Sequence, residues 1–243
     1  GLYRERTRKD WAESWLDVTT FLNHALRTEF IRLEPFAAMA YPGRGSLIKK
    51  HPLEEVWLHT TNRCNLTCAH CLVNSSPEGI DGLGTERWIA LIEEAKQLGA
   101  QRFYITGGEP FLRRDVLDIA RPILEDRDLV ILTNGMLFSQ GMLGRLRDIS
   151  NGNLTLQVSL DGPDAATHNY IRPNSFGRTV EGIRGLLEAG FEPTVSTVVT
   201  RSNLATIAAF PRLLNKLGVR RHHLLWGHRT GRALDGNDMA SPS

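Results

Sequence analysis

From Val56 onward, short β-rich runs alternate with helical runs, and this alternation constrains the fold more than any other feature of the chain. The pattern predicts strands at Val56–Thr60, Arg102–Thr106, Leu129–Thr133, Leu154–Leu160, Thr194–Thr200 and His222–Trp226. It predicts helices near Thr85–Leu98, Val116–Leu124, Ser139–Arg147, Thr179–Ala189 and Leu204–Leu217. Three helices end alike, in "QLGAQRF", "EAGFEPT" and "KLGVRRH", where Gly99, Gly190 and Gly218 supply left-handed caps before the next strand. Strand–helix alternation implies an α/β fold of parallel strands with right-handed crossovers. Six strands in about 170 residues gives about 29 residues per unit, near the ~30 of a βαβ unit. A six-stranded open barrel and a doubly wound sheet both satisfy this, and periodicity does not choose between them.

A length of 243 residues suits one domain with a short extension. Hydrophobic residues make up 41% and charged residues 23%, which excludes a collagen-like, low-complexity or wholly disordered chain. No apolar run reaches the ~18 residues of a membrane span. The net charge of +2 makes no case for nucleic acid as a partner.

Residues 1–52 read as an N-terminal helical extension. Trp11, Trp15, Val18, Leu22, Ala25 and Leu26 recur at helical steps, and Asp10 is placed to cap them. Packing on the main domain is the expectation. Asp10, Glu13 and Asp17 interrupt the basic face that a membrane-surface helix needs. A second apolar stretch, "FAAMAYPGRGS", runs into the linker signals Pro42, Gly43 and Gly45. Residues 53–234 then form the main domain. Residues 235–243 show no period and read as a frayed end or the start of a further segment. The first residue is Gly1 rather than Met, as in a processed chain or a fragment.

All three cysteines lie in "TTNRCNLTCAHC", as C-x3-C-x2-C at Cys64, Cys68 and Cys71, directly after the first predicted strand. An odd number packed this closely is no disulfide framework. It points to a reducing compartment, the cytoplasm, and to a metal or cluster site. Three thiolates on a short loop can wrap one face of a cubane iron–sulfur cluster. With no fourth cysteine, one iron stays open to a non-protein ligand, an arrangement suited to chemistry. A structural zinc site with His70 as fourth ligand is the competing reading. It requires adjacent side chains, His70 and Cys71, to reach one ion, and it lacks the usual distant partner pair. A single nucleophilic cysteine leaves the other two unexplained.

The second signal is "YITGGEPFLRRD", which follows the second predicted strand. Gly107 and Gly108 allow close backbone approach to a ligand with amide groups pointing outward. Glu109 sets a carboxylate at the same rim, able to accept from an ammonium group, and Pro110 fixes the turn. Alone this is common turn chemistry. One βα unit after the cysteine loop, it is more.

"CNLTCAHC" followed by "TGGEP" resembles the radical S-adenosylmethionine (SAM) superfamily, closest to the branch of peptide and sulfatase maturases and the molybdenum-cofactor enzyme acting on GTP. The resemblance covers roughly Val56 to Ala233. It implies a partial (β/α)6 TIM-like barrel in which Cys64, Cys68 and Cys71 hold a [4Fe–4S] cluster, with SAM chelating the fourth iron. It further implies that Gly107, Gly108 and Glu109 bind the SAM amino group. His70 stands where the family usually has an aromatic residue beside the cluster and adenine. "SLDGPDAATHNYIR" resembles the family's Ser-x-Asp-Gly stretch, so Ser159, Asp161 and Arg172 become candidates for the ribose and carboxylate of SAM. Asp161 in a turn and Arg172 as a surface cation is the bland alternative. Asn203 resembles a family asparagine near the SAM backbone, although helix capping alone explains it. "HRTGRA" resembles the barrel's exit.

The activity implied is reductive cleavage of SAM to a 5′-deoxyadenosyl radical that takes hydrogen from a substrate, which the resemblance makes a peptide or protein side chain, with a small molecule as the second option. The electron comes from an external donor of flavodoxin or ferredoxin type. Many members of this branch continue into a cysteine-rich region for auxiliary clusters, and no cysteine follows Cys71 here. A non-enzymatic iron–sulfur or zinc protein and an inactive piece of a larger maturase therefore stand as alternatives. His168, His222, His223 and His228 receive no catalytic role.

Overall fold

The computed structural model describes residues 2–31, 33, 52–234 and 238–239. The chain divides into two compact units, Gly1–Lys50 and His51–Ser243. In the first, α1 (Leu2–Thr7) precedes α2 (Trp11–Arg27). Asp10 caps α2 as its sequence position predicts, its carboxylate accepting from the Glu13 amide at 2.8 Å. Tyr3 donates to Asp17 at 2.8 Å, which ties α1 to α2. The stretch "FAAMAYPGRGS" lies outside the described residues.

The second unit carries β1 (Glu55–Thr61), β2 (Arg102–Gly107), β3 (Asp128–Thr133), β4 (Leu154–Ser159), β5 (Thr194–Val199) and β6 (Arg221–Trp226). They form one sheet in the order β1-β2-β3-β4-β5-β6, every neighbouring pair parallel. Sequential order decides the question that periodicity left open, because a doubly wound sheet reverses its strand order at a switch point. The fold is the open, partial (β/α)6 barrel. Crossovers are made by α3 (Thr85–Gln97), α4 (Val116–Leu124), α5 (Gln140–Ile149), α6 (Ala165–Ile171), α7 (Phe176–Glu188), α8 (Arg201–Leu204) and α9 (Phe210–Leu217). Gly99, Gly190 and Gly218 take the left-handed conformation their cap positions require.

Side chains alternate across the sheet. Phe103, Ile105, Leu129, Ile131, Leu156, Val158 and Val195 are buried among Ile92, Ile123, Leu146 and Ile183 of the covering helices. Their neighbours Tyr104, Thr106, Val130, Thr155 and Gln157 point the other way and are half-buried. The inner face is thus polar and open, whereas a parallel sheet covered on both faces reads as continuous apolar runs.

Three expectations need correction. The helix expected at Leu204–Leu217 is broken into α8, a 3₁₀ turn at Ile207–Ala209 and α9. Pro211 lacks the amide an uninterrupted helix needs, and it sits in the first turn of α9 where that amide is dispensable. Helix α6 was not expected, since its seven residues are too few to show a period. The tail is not frayed at Asp238 and Met239. Arg201 donates its amide to Asp238 O at 2.7 Å, and Met239 is buried beside Thr200.

Candidate functional site

Because all six strands run the same way, their C-terminal ends share one rim, the place where βα barrels assemble their sites. The cysteine loop rises from β1 at this rim. Its backbone is pinned by Cys64 N–H to Ser76 O at 2.9 Å and Asn62 N–H to Ile80 O at 3.0 Å. Cys64 and Cys68 are buried, Cys71 is half-buried, and the three pack with Leu66 and Met136 in an apolar cluster separate from the main core. Backbone amides already point at two sulfurs, Leu66 N–H at Cys64 Sγ (3.4 Å) and Ser75 N–H at Cys71 Sγ (3.3 Å). Burial pushes the Cys64 thiol up to about 11 and raises Cys68 as well. Burial favours the protonated form of both thiols, and a bound metal cation would reverse that.

The donor set fits a cubane better than zinc. Among the described residues, no group of three or more His, Cys, Asp or Glu side chains is placed to hold one metal ion, as tetrahedral zinc demands. A cubane asks each thiolate to reach a different iron. His70 is turned elsewhere, its Nε2 3.2 Å from Asp161 Oδ2 and 3.4 Å from Arg172 Nη2. Its Nδ1 is buried without a partner, a polar atom aimed at no protein group.

Gly107 and Gly108 do allow close approach, but to the cysteine strand. A Cβ on Gly107 would lie 2.2 Å from Thr61 O, and one on Gly108 2.1 Å from Arg63 O. The expectation of outward amides fails at Gly108, whose N–H donates to Thr61 O at 2.8 Å; Glu109 N–H likewise donates to Arg63 O at 2.8 Å. Two parallel segments must bond there, and only glycine is thin enough. Glu109 is not at an open rim either, being fully buried. Its Oε1 accepts from Thr133 Oγ1 (2.8 Å) and Phe111 N–H (3.2 Å), and its Oε2 accepts from Asn134 N–H (2.7 Å). A carboxylate offers about four acceptor sites, so one on Oε2 is left for a ligand donor. Burial raises the Glu109 pKa to about 7, against the pull of these donors.

On the β4 side, Ser159 is half-buried at the strand end opposite Ser196. Asp161 is fully buried and committed to protein: Oδ1 accepts from Val198 N–H (2.8 Å) and Oδ2 from Arg172 Nε (2.5 Å). Burial alone raises its pKa, yet the Arg172 charge outweighs that and holds Asp161 well below the usual carboxylate range. Arg172 is therefore a partner of Asp161 rather than a surface cation. Asn203 is not the N-cap, which is Thr200; it completes the capping box from the third position. Both Nδ2 hydrogens go to protein carbonyls, Asp161 O (2.9 Å) and Val198 O (2.8 Å), so Asn203 braces Asp161.

Four other residues enter the site. Thr133 and Asn134 hold Glu109. His168 is fully buried, and its Nδ1 accepts from Asp161 N–H (3.1 Å), which leaves Nε2–H to donate to Ser175 Oγ (2.9 Å). Burial lowers its pKa to about 4, so it is neutral. Arg232, from "HRTGRA", donates Nε to Cys68 O (2.9 Å) and Nη2 to Ser75 O (2.7 Å), bracing the cysteine loop from the far end of the sheet. Thr133 and Asn134 belong to "LTNG", which the sequence already places at the end of the third predicted strand, and His168 lies seven positions from Asp161. Arg232 was hidden by distance: no local pattern announces a contact across 164 positions.

An open parallel half-barrel with three clustered thiols and a buried glutamate at one rim defines a class of α/β proteins built to hold a reactive cofactor. Residues 58–210 match the radical SAM superfamily, and the chain belongs to it. Members of this superfamily use a [4Fe–4S] cluster and SAM. The chain is 36% identical over 189 residues to an AdoMet-dependent heme synthase of Methanosarcina barkeri, covering 75% of this chain and 53% of the relative. It is 32% identical over 193 residues to a probable GTP 3′,8-cyclase of Saccharolobus islandicus, covering 74% and 59%. The fold resembles that of Streptococcus suis SuiB bound to S-adenosylmethionine, with a TM-score of 0.62 at 20% identity over 71% of this chain and 40% of that one. The chain spans about half the length of the curated relatives it matches. No helix among the described residues is long and apolar enough to cross a membrane.

Proposed function

We propose that this chain is the core of a radical SAM enzyme, with Cys64, Cys68 and Cys71 holding the cluster and the rim around Glu109 holding SAM. The observation that carries the reading is the double backbone bond between the Gly107–Glu109 turn and the cysteine strand. It fixes a carboxylate acceptor beside three thiols. Cys64, Cys68 and Cys71 would hold the cluster, and the chemistry it would supply when bound is one-electron reduction of SAM, with the electron from an external donor, for hydrogen-atom abstraction from a substrate. The chain's own residues bind, orient and exclude water. Glu109 accepts from the SAM amino group through its remaining site. His70 Nδ1, buried without a partner, and Ser159, half-buried at the end of β4, are the further polar contacts in this reading, and Asp161, Asn203 and His168 hold the β4 side in register.

For the substrate, the half-polar inner face offers Thr106, Gln157 and Thr155 as hydrogen-bonding groups. Relatives above 30% identity carry the names of small-molecule enzymes, a heme synthase and a probable GTP 3′,8-cyclase. The likeness to SuiB speaks for the fold alone. We therefore favour a small-molecule substrate over a peptide. Residues 1–52 and 53–234 serve in this reading as extension and core.

Anoxic reconstitution with iron and sulfide, followed by SAM and dithionite, tests the activity. Formation of 5′-deoxyadenosine supports it, and its absence from cluster-loaded protein overturns it. Glu109→Ala removes one charged acceptor, and a hydrogen bond of that kind contributes about 1.5–3 kcal/mol, so SAM affinity should fall about 10- to 100-fold. Calorimetric titration of loaded protein measures this. Unchanged affinity would remove Glu109 from the SAM site.

A further inference from the structure

The three thiols have unequal surroundings. Cys64 Sγ and Cys71 Sγ each accept from a neutral backbone amide. Cys68 Sγ instead faces a charge, with Arg172 Nη1 3.7 Å away. The Arg172 side chain is only 14% exposed. Its Nε edge is held by Asp161, which leaves the Nη1 edge toward the sulfur. Nη2 lies 3.4 Å from His70 Nε2.

This guanidinium is aimed by a buried framework. Asp161 is fixed by Val198 N–H, by the His168 ring at its amide and by Asn203 at its carbonyl. Ser175 Oγ donates to Arg172 O at 2.7 Å, which fixes the arginine's backbone from the same His168–Ser175 link. That much buried structure exceeds what is needed to seat a flexible ligand-binding cation. It suits a charge that must stay at one distance from one sulfur.

Resting on the cluster reading above, we propose that Arg172 tunes the cluster: its guanidinium, positioned by Asp161 against Cys68 Sγ, favours the reduced cluster over the oxidised one before SAM binds. Reduction adds one electron from the external donor, and so one negative charge, to the cluster. A fixed cation within reach of a thiolate, in a site of low dielectric, stabilises that added charge. Arginine suits the role because it does not lose its proton in proteins. Asp161 is the positioning residue. The resemblance makes Arg172 a candidate for the ribose or carboxylate of SAM, a role exercised only when SAM is present. The two roles are therefore separable.

The test is a dithionite redox titration of the reconstituted chain without SAM, followed by electron paramagnetic resonance. Wild type, Arg172→Gln and Arg172→Lys are compared, each with iron and sulfide counted first. The expected result is a more negative midpoint for Arg172→Gln, with Arg172→Lys between it and wild type. Loosened packing admits water and moves the midpoint the other way, so the sign separates charge from damage. Unchanged midpoints with weakened SAM binding would overturn the proposal and return Arg172 to the ribose or carboxylate of SAM. If Arg172→Gln does not load, Arg172→Met, which also removes the charge, decides: a more negative midpoint supports, an unchanged one overturns. A wild-type chain that loads no cluster overturns the proposed function, and this inference with it.

Discussion

Serine at any one of positions 64, 68 or 71 should abolish cluster loading while leaving the fold intact. The chain has three cysteines in all, so none can substitute for another. A serine hydroxyl is not the soft, readily deprotonated donor that iron–sulfur clusters bind. The thiols sit in their own small apolar group with Leu66 and Met136, apart from the main core. Trading sulfur for oxygen there costs about 1–3 kcal/mol if the hydroxyl finds no partner, which a domain with this core can absorb. Iron per chain after reconstitution should drop to background for Cys64→Ser, Cys68→Ser and Cys71→Ser alike, with far-ultraviolet circular dichroism unchanged. Full iron retention in any of the three would show that its sulfur is not a ligand.

Gly108→Ala should be nearly as severe, by a different route. The new methyl would lie 2.1 Å from Arg63 O, 2.6 Å from Arg63 C and 3.0 Å from Cys64 Cβ. Two of these are backbone atoms, which cannot swing aside as a side-chain tip can. Overpacking commonly costs about 1–3 kcal/mol, and here the strain falls on the bonds from Gly108 and Glu109 to the cysteine strand. Separating those strands displaces Cys64 and Glu109 together. A lower melting temperature and rapid loss of iron to a chelator are expected. Gly144 gives the contrast, since it lies within α5 and a Cβ there meets nothing within 4 Å. Gly144→Ala should raise stability by up to about 1 kcal/mol, as alanine favours helix, and leave iron retention unchanged. Equal behaviour of the two variants would refute the close-approach account.

Strand and helix placement was legible because it rests on local periodicity and on glycines that each mark a helix end. The cysteine loop was legible because its three ligands lie within one short segment. The roles of Asp161, Arg172 and Asn203 were not. Asp161 looks like part of a Ser-x-Asp-Gly turn until Val198, 37 positions on, donates to its carboxylate. Asn203 looks like a cap until its amide reaches Asp161 O, 42 positions back. Gly107 and Gly108 carry the right signal, close approach, but a lone segment does not name what approaches. Here it is the end of β1, at Thr61, and the start of the cysteine loop, at Arg63. Local rules break down where a residue's partners are assembled by the sheet.

The central claim is that three thiols leave one iron of a cubane free for SAM. Mössbauer spectroscopy of chain reconstituted with ⁵⁷Fe, with and without SAM, tests it most directly. The account predicts about four iron and four sulfide per chain, with SAM shifting the signal of one iron and sparing the rest. A spectrum unmoved by SAM, or a chain that takes up a single zinc in place of the cluster, would contradict it.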